Sequence, residues 1–227
     1  MVAPHPDDES IGCGGTICLH RESGYKVRVV FLSSGERGVD GVSKATGRSI
    51  REAEAERAGE VLRLDGMDFL RLPDLRLSDH IDLGAQLVHK ILQLQSPSLI
   101  YLPHLDEAHP DHQAALPIVR AALAQFSDQR KTTELVFYEV WSPMTSYGWA
   151  EDITHFIHEK LRAVRCYKSQ LQSFRYDRAV RGLNQYRGSL AAGSYYAEVF
   201  RSAPTEVIED GCYSAWGNKD KQDPNSV

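Results

Sequence analysis

Strand-like and helix-like segments alternate along roughly the first 140 residues, and this alternation is the strongest constraint on the fold. Short apolar runs rich in β-branched and aromatic residues predict strands at residues 1–3, 27–32, 67–70, 98–102 and 135–138. Apolar residues at helical spacing predict helices around residues 50–62, 80–95 and 116–123. Strands separated by helices of this length predict a parallel sheet with right-handed crossovers. We therefore expect an α/β protein: a Rossmann-like three-layer sandwich with a mostly parallel central sheet and helices on both faces.

The last third of the chain follows a less regular pattern. A helix is predicted at residues 157–164 and a late strand at 197–200, whereas the stretch 39–49 has no recognisable pattern and is predicted to be a loop. A chain of 227 residues is long enough for one large α/β domain. We predict a single domain over residues 1–203 and a partly disordered C-terminal extension over residues 204–227.

Composition excludes several classes of protein. The formal net charge is −5 and no basic block is present, which argues against a nucleic-acid or membrane-surface binder. No apolar run approaches the ~20 residues that a membrane-spanning helix needs. The polar, acidic first residues do not resemble a signal peptide, although an upstream strand segment or a short leader stays open. The four cysteines form no CxxC pair, which favours free thiols and a cytoplasmic location.

Two short motifs concentrate the reactive side chains. The first is the run His5-Pro6-Asp7-Asp8-Glu9, and the second is His109-Pro110-Asp111-His112. Each motif follows the carboxyl end of a predicted strand, the first strand and the fourth. In an open parallel sheet these ends lie on one edge, where ligands bind. We therefore expect two motifs about a hundred residues apart to meet in one crevice.

Imidazoles and carboxylates together suit a borderline divalent ion, with zinc as the leading candidate. A +2 charge would also stabilise neighbouring acids that otherwise repel one another. His5 and Asp8 can converge on one ion if the loop turns tightly, and this leaves Asp7 free to act as a base. Either motif alone would fit a polar turn or a helix start equally well, but the pair at one sheet edge favours a metal site. Glu9 is expected to make hydrogen bonds at the helix entry.

Three further features are open to more than one interpretation. The run Gly12-Cys13-Gly14-Gly15 resembles part of a dinucleotide loop but lacks its final spaced glycine, so we predict a glycine-rich entry into a helix packed against the sheet. His104 lies close to the second motif and is a weaker candidate for a supporting contact. The aromatic residues after the fifth strand fit either stacking on a sugar face or packing on the C-terminal helices; they are Trp141, Tyr147 and Trp149.

The two motifs and their surroundings resemble the LmbE/PIG-L family of zinc-dependent de-N-acetylases. The stretch A-P-H-P-D-D-E-S-I-G-C-G-G-T resembles the opening signature of that family. Further similarity lies in the loop 34–38 after the second strand, in Leu72-Pro73-Asp74 and in Lys168-Ser169-Gln170. The resemblance covers most of residues 1 to about 200, and the paired motifs are its most specific part.

The resemblance implies a role for each reactive side chain. The implied metal ligands are His5, Asp8 and His112. The implied catalytic residues are Asp7 as general base, His109 as the group that stabilises the oxyanion or protonates the leaving amine, and Asp111 as the residue that orients a neighbouring imidazole. The implied substrate-binding residues are Arg51 and Asp74, which would hold sugar hydroxyls.

The implied function is hydrolysis of the N-acetyl group of an N-acetylglucosamine-containing substrate by zinc-activated water. Another divalent ion such as Fe²⁺ could replace Zn²⁺. The alternatives are a deacetylase or amidase acting on a GlcNAc conjugate of the thiol-precursor type or on a non-sugar amide and, less favoured, a non-catalytic sugar- or nucleotide-binding Rossmann-like module. The expected partner is a small amino-sugar substrate, with no nucleic acid and no membrane span, and a homo-oligomer is compatible with the sequence.

Overall fold

The computed structural model describes residues 1–126 and 133–203. Within these ranges the strands are β1 (Val2–Ala3), β2 (Arg28–Ser33), β3 (Gly66–Leu72), β4 (Leu99–Pro103), β5 (Glu134–Tyr138), β6 (Trp149–Asp152) and β7 (Ala197–Ser202). The α-helices are α1 (Asp8–Glu22), α2 (Lys44–Leu62), α3 (Ile81–Gln95), α4 (Pro110–Leu123), α5 (Ile157–Val164), α6 (Lys168–Leu171) and α7 (Tyr176–Arg187). The predicted extension over residues 204–227 lies outside the described residues, and the domain boundary at residue 203 stays a prediction.

The strands form two sheets that meet at the middle of the fold. β1, β2 and β3 pair in parallel, and so do β4 and β5. β7 runs antiparallel to β5, and β6 runs antiparallel to β7. β1 lies beside β4, and the Tyr138 hydroxyl donates a 2.9 Å hydrogen bond to the Val2 carbonyl across this junction. The spatial order is therefore β3-β2-β1-β4-β5-β7-β6, which confirms the predicted mostly parallel α/β sheet.

Helices cover both faces of this sheet, and the strands alternate between two hydrophobic cores. In β5, Val136 packs into the core formed with α1, α2, α5 and α7. Its neighbours Leu135 and Phe137 pack into the opposite core, formed with α3 and α4. This alternation follows from the two-residue period of a strand whose faces are both buried. The predicted three-layer arrangement is confirmed.

The short strand β1 lies at the junction of the two sheets and therefore at the centre of the fold. Val2 is 3% exposed and Ala3 is fully buried, as predicted for the carboxyl end of a central strand. Because β1 ends at Ala3, the first reactive motif lies at the middle of the carboxyl edge. The α1 glycines let this helix approach closely: a Cβ on Gly12 would lie 2.3 Å from the Tyr138 ring, and one on Gly15 would lie 2.5 Å from Ile153. The helix packs closely as predicted, but the glycines lie within α1 rather than at its entry, because the helix already begins at Asp8.

Two local predictions were wrong or incomplete. The stretch 39–49 is not entirely a loop, because α2 already begins at Lys44, where the Ser43 hydroxyl accepts a 3.2 Å hydrogen bond from the Thr46 amide. The edge strand β6 was not predicted, since its short sequence acquires strand structure by pairing with β7. Within the described ranges, no helix is both long enough and apolar enough to cross a membrane.

Candidate metal centre

The two reactive motifs meet at the carboxyl edge of the sheet, as predicted. Ring nitrogens of His5, His109 and His112 lie within 4.8 Å of one another. Asp8 Oδ2 lies 3.5 Å from His5 Nδ1 and 3.3 Å from His112 Nε2. Asp8 and His112 are almost completely buried, and His5 is 8% exposed. Two imidazoles and a carboxylate therefore face one small volume.

The unpartnered polar atoms of these groups, and the distances between them, fit a divalent ion. Asp8 Oδ1 and both ring nitrogens of His112 have no hydrogen-bond partner among the described residues, although all three atoms are buried. Buried polar atoms of this kind normally have a partner. Tetrahedral ligand atoms about 2.0–2.2 Å from a zinc ion lie about 3.4 Å apart. The two distances from Asp8 Oδ2 match that spacing.

A carboxylate lies behind each of the two imidazoles. His5 Nε2 is 3.0 Å from Asp111 Oδ2 and 3.3 Å from Asp74 Oδ1. His112 Nδ1 is 3.6 Å from Glu107 Oε2. Histidines that bind metals usually donate the hydrogen of the other ring nitrogen to a carboxylate, which fixes the tautomer and the ring orientation. His5 Nδ1 and His112 Nε2 are therefore the nitrogens available to an ion.

Backbone amides hold Asp111 in place behind His5. Its carboxylate accepts hydrogen bonds of 2.8 Å from the Leu75 amide and 3.0 Å from the Leu77 amide. Asp74, in the same loop, accepts a 2.8 Å bond from the Arg37 amide. Asp111 was predicted to lie beside an imidazole that it orients, and the imidazole that it contacts is that of His5.

The carboxylate of Asp8 and the imidazoles of His5 and His112 each stabilise the charged form of the other. Burial works against ionisation of Asp8, but the imidazoles of His112 and His5 hold the pKa of this carboxyl well below its usual range. Burial likewise opposes the charged form of His112, but Asp8 and Glu107 raise its pKa to about 9. Positive charge is therefore strongly favoured between the carboxylates, and a divalent cation supplies it.

Asp7 is held beside this cluster in a constrained conformation. Its φ of +119° is rarely adopted by a non-glycine residue, and strained backbone of this kind is concentrated at functional sites. Asp7 Oδ1 lies 3.2 Å from the Arg51 guanidinium, and Oδ2 accepts a 3.1 Å hydrogen bond from the Tyr176 hydroxyl. Burial raises the pKa of Asp7 to about 6, although Arg51 opposes this shift. The carboxylate is fixed on two sides by groups from distant parts of the chain.

Glu9 holds the turn that carries Asp7. One carboxylate oxygen accepts a 3.0 Å bond from the Asp7 amide, and the other accepts bonds from the Ser10 hydroxyl at 2.5 Å and the Tyr167 hydroxyl at 2.6 Å. Burial raises the pKa of Glu9 to about 7. The expected hydrogen bonds at the helix entry are confirmed.

Arg51 and Asp74 lie deeper than residues at the mouth of a site. Arg51 is 3% exposed, donates a hydrogen bond to the Pro6 carbonyl and contacts Asp7. Its Nε and Nη1 atoms have no partner among the described residues. Asp74 is bound to His5 and to the Arg37 amide, as described above. The predicted contacts of both side chains with sugar hydroxyls stay predictions.

His109 lies at the end of the cluster that is open to solvent. It precedes α4, and its Nδ1 accepts a 3.2 Å hydrogen bond from the Asp111 amide. Burial lowers the pKa of His109, and the neighbouring His5 and His112 lower it further. In the neutral ring, with Nδ1 as acceptor, the hydrogen is on Nε2. His109 can therefore donate a hydrogen bond to a group bound in the crevice.

Several groups around the site were not recognised in the sequence. Glu107, Tyr167 and Tyr176 are single residues of common types, and no local pattern distinguished them. His104 is buried, and its Nε2 donates a 2.6 Å bond to the Ser142 carbonyl, so it supports the loop after β5. Among the aromatic residues of that segment, Trp141 is 46% exposed and lies edge-on to Tyr176, at 5.6 Å between ring centroids.

The fold and the site together define an α/β protein with a candidate His/Asp centre for a divalent metal at the carboxyl edge of a central sheet. The family model described as PIG-L: GlcNAc-PI de-N-acetylase matches residues 1–123. The chain belongs to this family, which confirms the resemblance inferred from the motifs.

Related proteins extend the similarity beyond the matched half. The diacetylchitobiose deacetylase of Thermococcus kodakarensis is 29% identical over 224 residues, which cover 89% of this chain and 82% of that protein. A probable N-acetyl-alpha-D-glucosaminyl L-malate deacetylase 2 of Bacillus anthracis is 29% identical over 187 residues, covering 75% of this chain and 80% of the relative. The crystal structure of a conserved protein of Thermus thermophilus superposes with a TM-score of 0.78 at 29% identity, covering 96% of this chain and 97% of the other.

The chain is also similar in sequence to an enzyme that catalyses a different reaction. The 4-oxalmesaconate hydratase of Pseudomonas putida is 26% identical over 235 residues, which cover 92% of this chain and 90% of that enzyme. Similarity of sequence over most of the chain therefore does not by itself distinguish hydrolysis of an amide from hydration of a double bond.

Proposed function

We propose that this protein is a metal-dependent N-deacetylase that hydrolyses the N-acetyl group of an N-acetylglucosamine-containing substrate. The observation that carries the proposal is the convergence of His5, Asp8 and His112 with a separately held carboxylate, Asp7, beside them. Membership of the de-N-acetylase family and similarity to two curated deacetylases support it.

We assign the metal ligands as His5 through Nδ1, Asp8 through its carboxylate and His112 through Nε2. Zinc is the proposed ion, with Fe²⁺ as the alternative, since two imidazoles and one carboxylate suit either. When bound, the ion supplies a Lewis acid and lowers the pKa of a coordinated water toward ~7. Asp111 and Glu107 would orient the two ligand imidazoles from behind.

Asp7 is proposed to take a proton from the attacking water. Its carboxylate is fixed by Arg51 and Tyr176, beside the proposed ligands but with its own partners. A carboxylate held in this way can take a proton from a nearby water and release it later.

His109 is proposed to donate a hydrogen bond from Nε2 to the acetamide oxygen as negative charge develops there. As the C–N bond breaks, the leaving amine receives a proton, either the one that Asp7 took from the water or, when the ring is protonated, one from His109, and acetate and a free amino sugar depart. The half-buried position of His109 supports contact with a bound substrate.

The proposed substrate class is a small GlcNAc-containing sugar or GlcNAc conjugate. One curated relative is named for diacetylchitobiose and another for a GlcNAc–malate conjugate, and both compounds carry the same N-acetyl group. We further propose a cytoplasmic location, since none of the three cysteines in the described ranges forms a disulfide. Assembly as a homo-oligomer stays a prediction.

The test combines metal analysis with a screen of acetylated compounds. Protein loaded with zinc or with iron is incubated with diacetylchitobiose, N-acetylglucosamine, a GlcNAc–malate conjugate and a non-sugar acetamide, and acetate and free amine are measured. We expect equimolar acetate and amine from at least one sugar substrate, and none after chelation. Hydration of an unsaturated dicarboxylic acid, without release of acetate from any compound, would instead support the hydratase relative as the functional guide.

A further inference from the structure

Glu107 is a buried carboxylate that binds the backbone of a loop from another part of the chain. It is fully buried and lies two residues before His109. Its Oε1 accepts hydrogen bonds from three successive amides of the segment after β5, which we call the 140–142 loop. These are the amides of Val140 at 2.8 Å, Trp141 at 3.0 Å and Ser142 at 3.2 Å. Successive backbone amides that point to one anion form a specific binding concavity.

The same carboxylate faces the candidate metal centre with its other oxygen. Glu107 Oε2 lies 3.6 Å from His112 Nδ1, on the side of the ring opposite Asp8. A single buried carboxylate therefore lies against both a metal-site imidazole and the 140–142 loop.

The loop continues this connection to the residue proposed as general base. Trp141 lies edge-on against Tyr176, with ring centroids 5.6 Å apart. The Tyr176 hydroxyl donates its 3.1 Å hydrogen bond to Asp7 Oδ2. His104 supports the same loop through its bond to the Ser142 carbonyl. Contacts thus run without a break from His112 through Glu107 and the loop to Asp7.

We propose that Glu107 is a positioning residue that fixes the His112 ring and the 140–142 loop relative to each other. Its carboxylate, 3.6 Å from Nδ1, favours the tautomer of His112 with the hydrogen on Nδ1, which leaves Nε2 as the nitrogen available to the metal. By binding the loop amides with the same group, it sets the distance between the metal ligand and the Trp141–Tyr176 pair that contacts Asp7. The inference rests on the metal site of the proposed function.

A carboxylate directly before the 140–142 loop provides a matched control. Glu139 is also buried and also holds the segment after β5, since it accepts a 2.7 Å bond from the Met144 amide and pairs with Arg187 at 2.7 Å. Its described partners do not include His112. If Glu107 only anchors the loop, loss of charge at either position should affect the metal equally.

The experiment compares Glu107→Gln with Glu139→Gln. Zinc affinity is measured by competition with a fluorescent chelator, and folding of each metal-free variant by circular dichroism and thermal unfolding. We expect Glu107→Gln to weaken zinc binding by about 10- to 100-fold, because removal of the partner of a ligand imidazole has effects of this size. Glu139→Gln should lower the unfolding temperature but leave the zinc affinity close to that of the wild type. Equal zinc affinities in the two variants would overturn the inference.

A second measurement does not depend on the folding of a variant. The ¹⁵N shifts of the histidine rings in the zinc-loaded wild type report which ring nitrogen carries the hydrogen. The inference requires that His112 carry it on Nδ1, whereas His5, which Asp111 contacts at Nε2, should carry it on Nε2. Opposite tautomers in the two ligands support the inference, and hydrogen on Nε2 in both overturns it. A wild-type protein that binds no zinc or other divalent ion would instead refute the proposed function.

Discussion

Three consecutive acids begin α1, and each is compensated by different partners. Asp8 faces the imidazoles of the candidate metal centre, Asp7 faces Arg51 and Tyr176, and Glu9 accepts hydrogen bonds from hydroxyls and an amide. Successive side chains at a helix start point in directions about 100° apart. The like charges therefore do not share one environment, and each carboxylate can have its own ionisation behaviour and function.

Replacement of Asp7 by asparagine tests the separation of base from ligand. Asp7→Asn keeps the shape of the side chain but removes its capacity to take a proton. We expect hydrolysis of the best acetylated substrate to fall by about 10²- to 10⁴-fold, the usual contribution of a general base. Zinc content, measured by elemental analysis, should stay near one ion per chain.

The companion variant is His112→Ala, which removes a proposed ligand. It should lose both hydrolysis and bound zinc, while circular dichroism still shows a folded protein. Near-normal turnover in Asp7→Asn would refute the assignment of the base. Full zinc content in His112→Ala would refute the ligand set.

At the scale of elements, the short helix α6 depends on α2 for its position. A helix of four residues is not stable by itself in water. The buried Glu54 of α2 accepts bonds from the Ser169 amide at 2.8 Å and the Ser169 hydroxyl at 2.6 Å. Gln170 then donates a 2.7 Å bond to the Gly38 carbonyl, in the loop after β2. The segment Lys168-Ser169-Gln170, which is part of the family resemblance, thus holds α6 against α2 and against the loop after β2.

Removal of the Glu54 carboxylate should loosen this attachment. We expect Glu54→Ala to lower the free energy of unfolding by about 1–3 kcal/mol, because the two half-buried donors of Ser169 lose their partner. Urea denaturation followed by fluorescence measures the change.

An exposed carboxylate provides the comparison for this variant. Asp79 pairs with Arg76 at 2.8 Å, but both side chains are about half exposed or more. Asp79→Ala should therefore change the free energy of unfolding by no more than about 1 kcal/mol. Equal effects of the two substitutions would mean that Glu54 does not hold α6.

At the scale of the whole molecule, stability depends on how closely α1 approaches the sheet. A Cβ on Gly12 would lie 2.3 Å from the Tyr138 ring. That ring cannot move aside easily, since it is fully buried and its hydroxyl is bound to the Val2 carbonyl. Close packing here joins the core formed with α1, α2, α5 and α7 to the junction between β1 and β4.

Gly12→Ala should therefore destabilise the entire fold. We expect a loss of about 1–3 kcal/mol in the free energy of unfolding, the usual effect of overpacking a core. Gly182 in α7 is the control, because nothing lies within 4 Å of a Cβ at that position. Gly182→Ala should be neutral or stabilising by up to about 1 kcal/mol. A neutral Gly12→Ala in urea denaturation would contradict the proposed close approach.

The layer architecture and the place of the site could be predicted from the amino-acid sequence alone. The apolar run of β5 and the helical spacing of α3 are local patterns, so both elements could be predicted from neighbouring residues. The two His-Pro-Asp motifs were sufficient to predict a shared crevice, because carboxyl ends of parallel strands lie on one edge.

The groups that surround these motifs, in contrast, are set by tertiary packing. Tyr176 reaches Asp7 across 169 positions of the chain, and Tyr167 reaches Glu9 across 158. Glu107 contacts the amides of the 140–142 loop more than 30 positions away. Contacts of this kind depend on how helices and loops pack against the sheet, and the residue types involved are common throughout the sequence. The reactive groups were therefore visible in the sequence, whereas the groups that hold them became visible only after folding brought distant residues together.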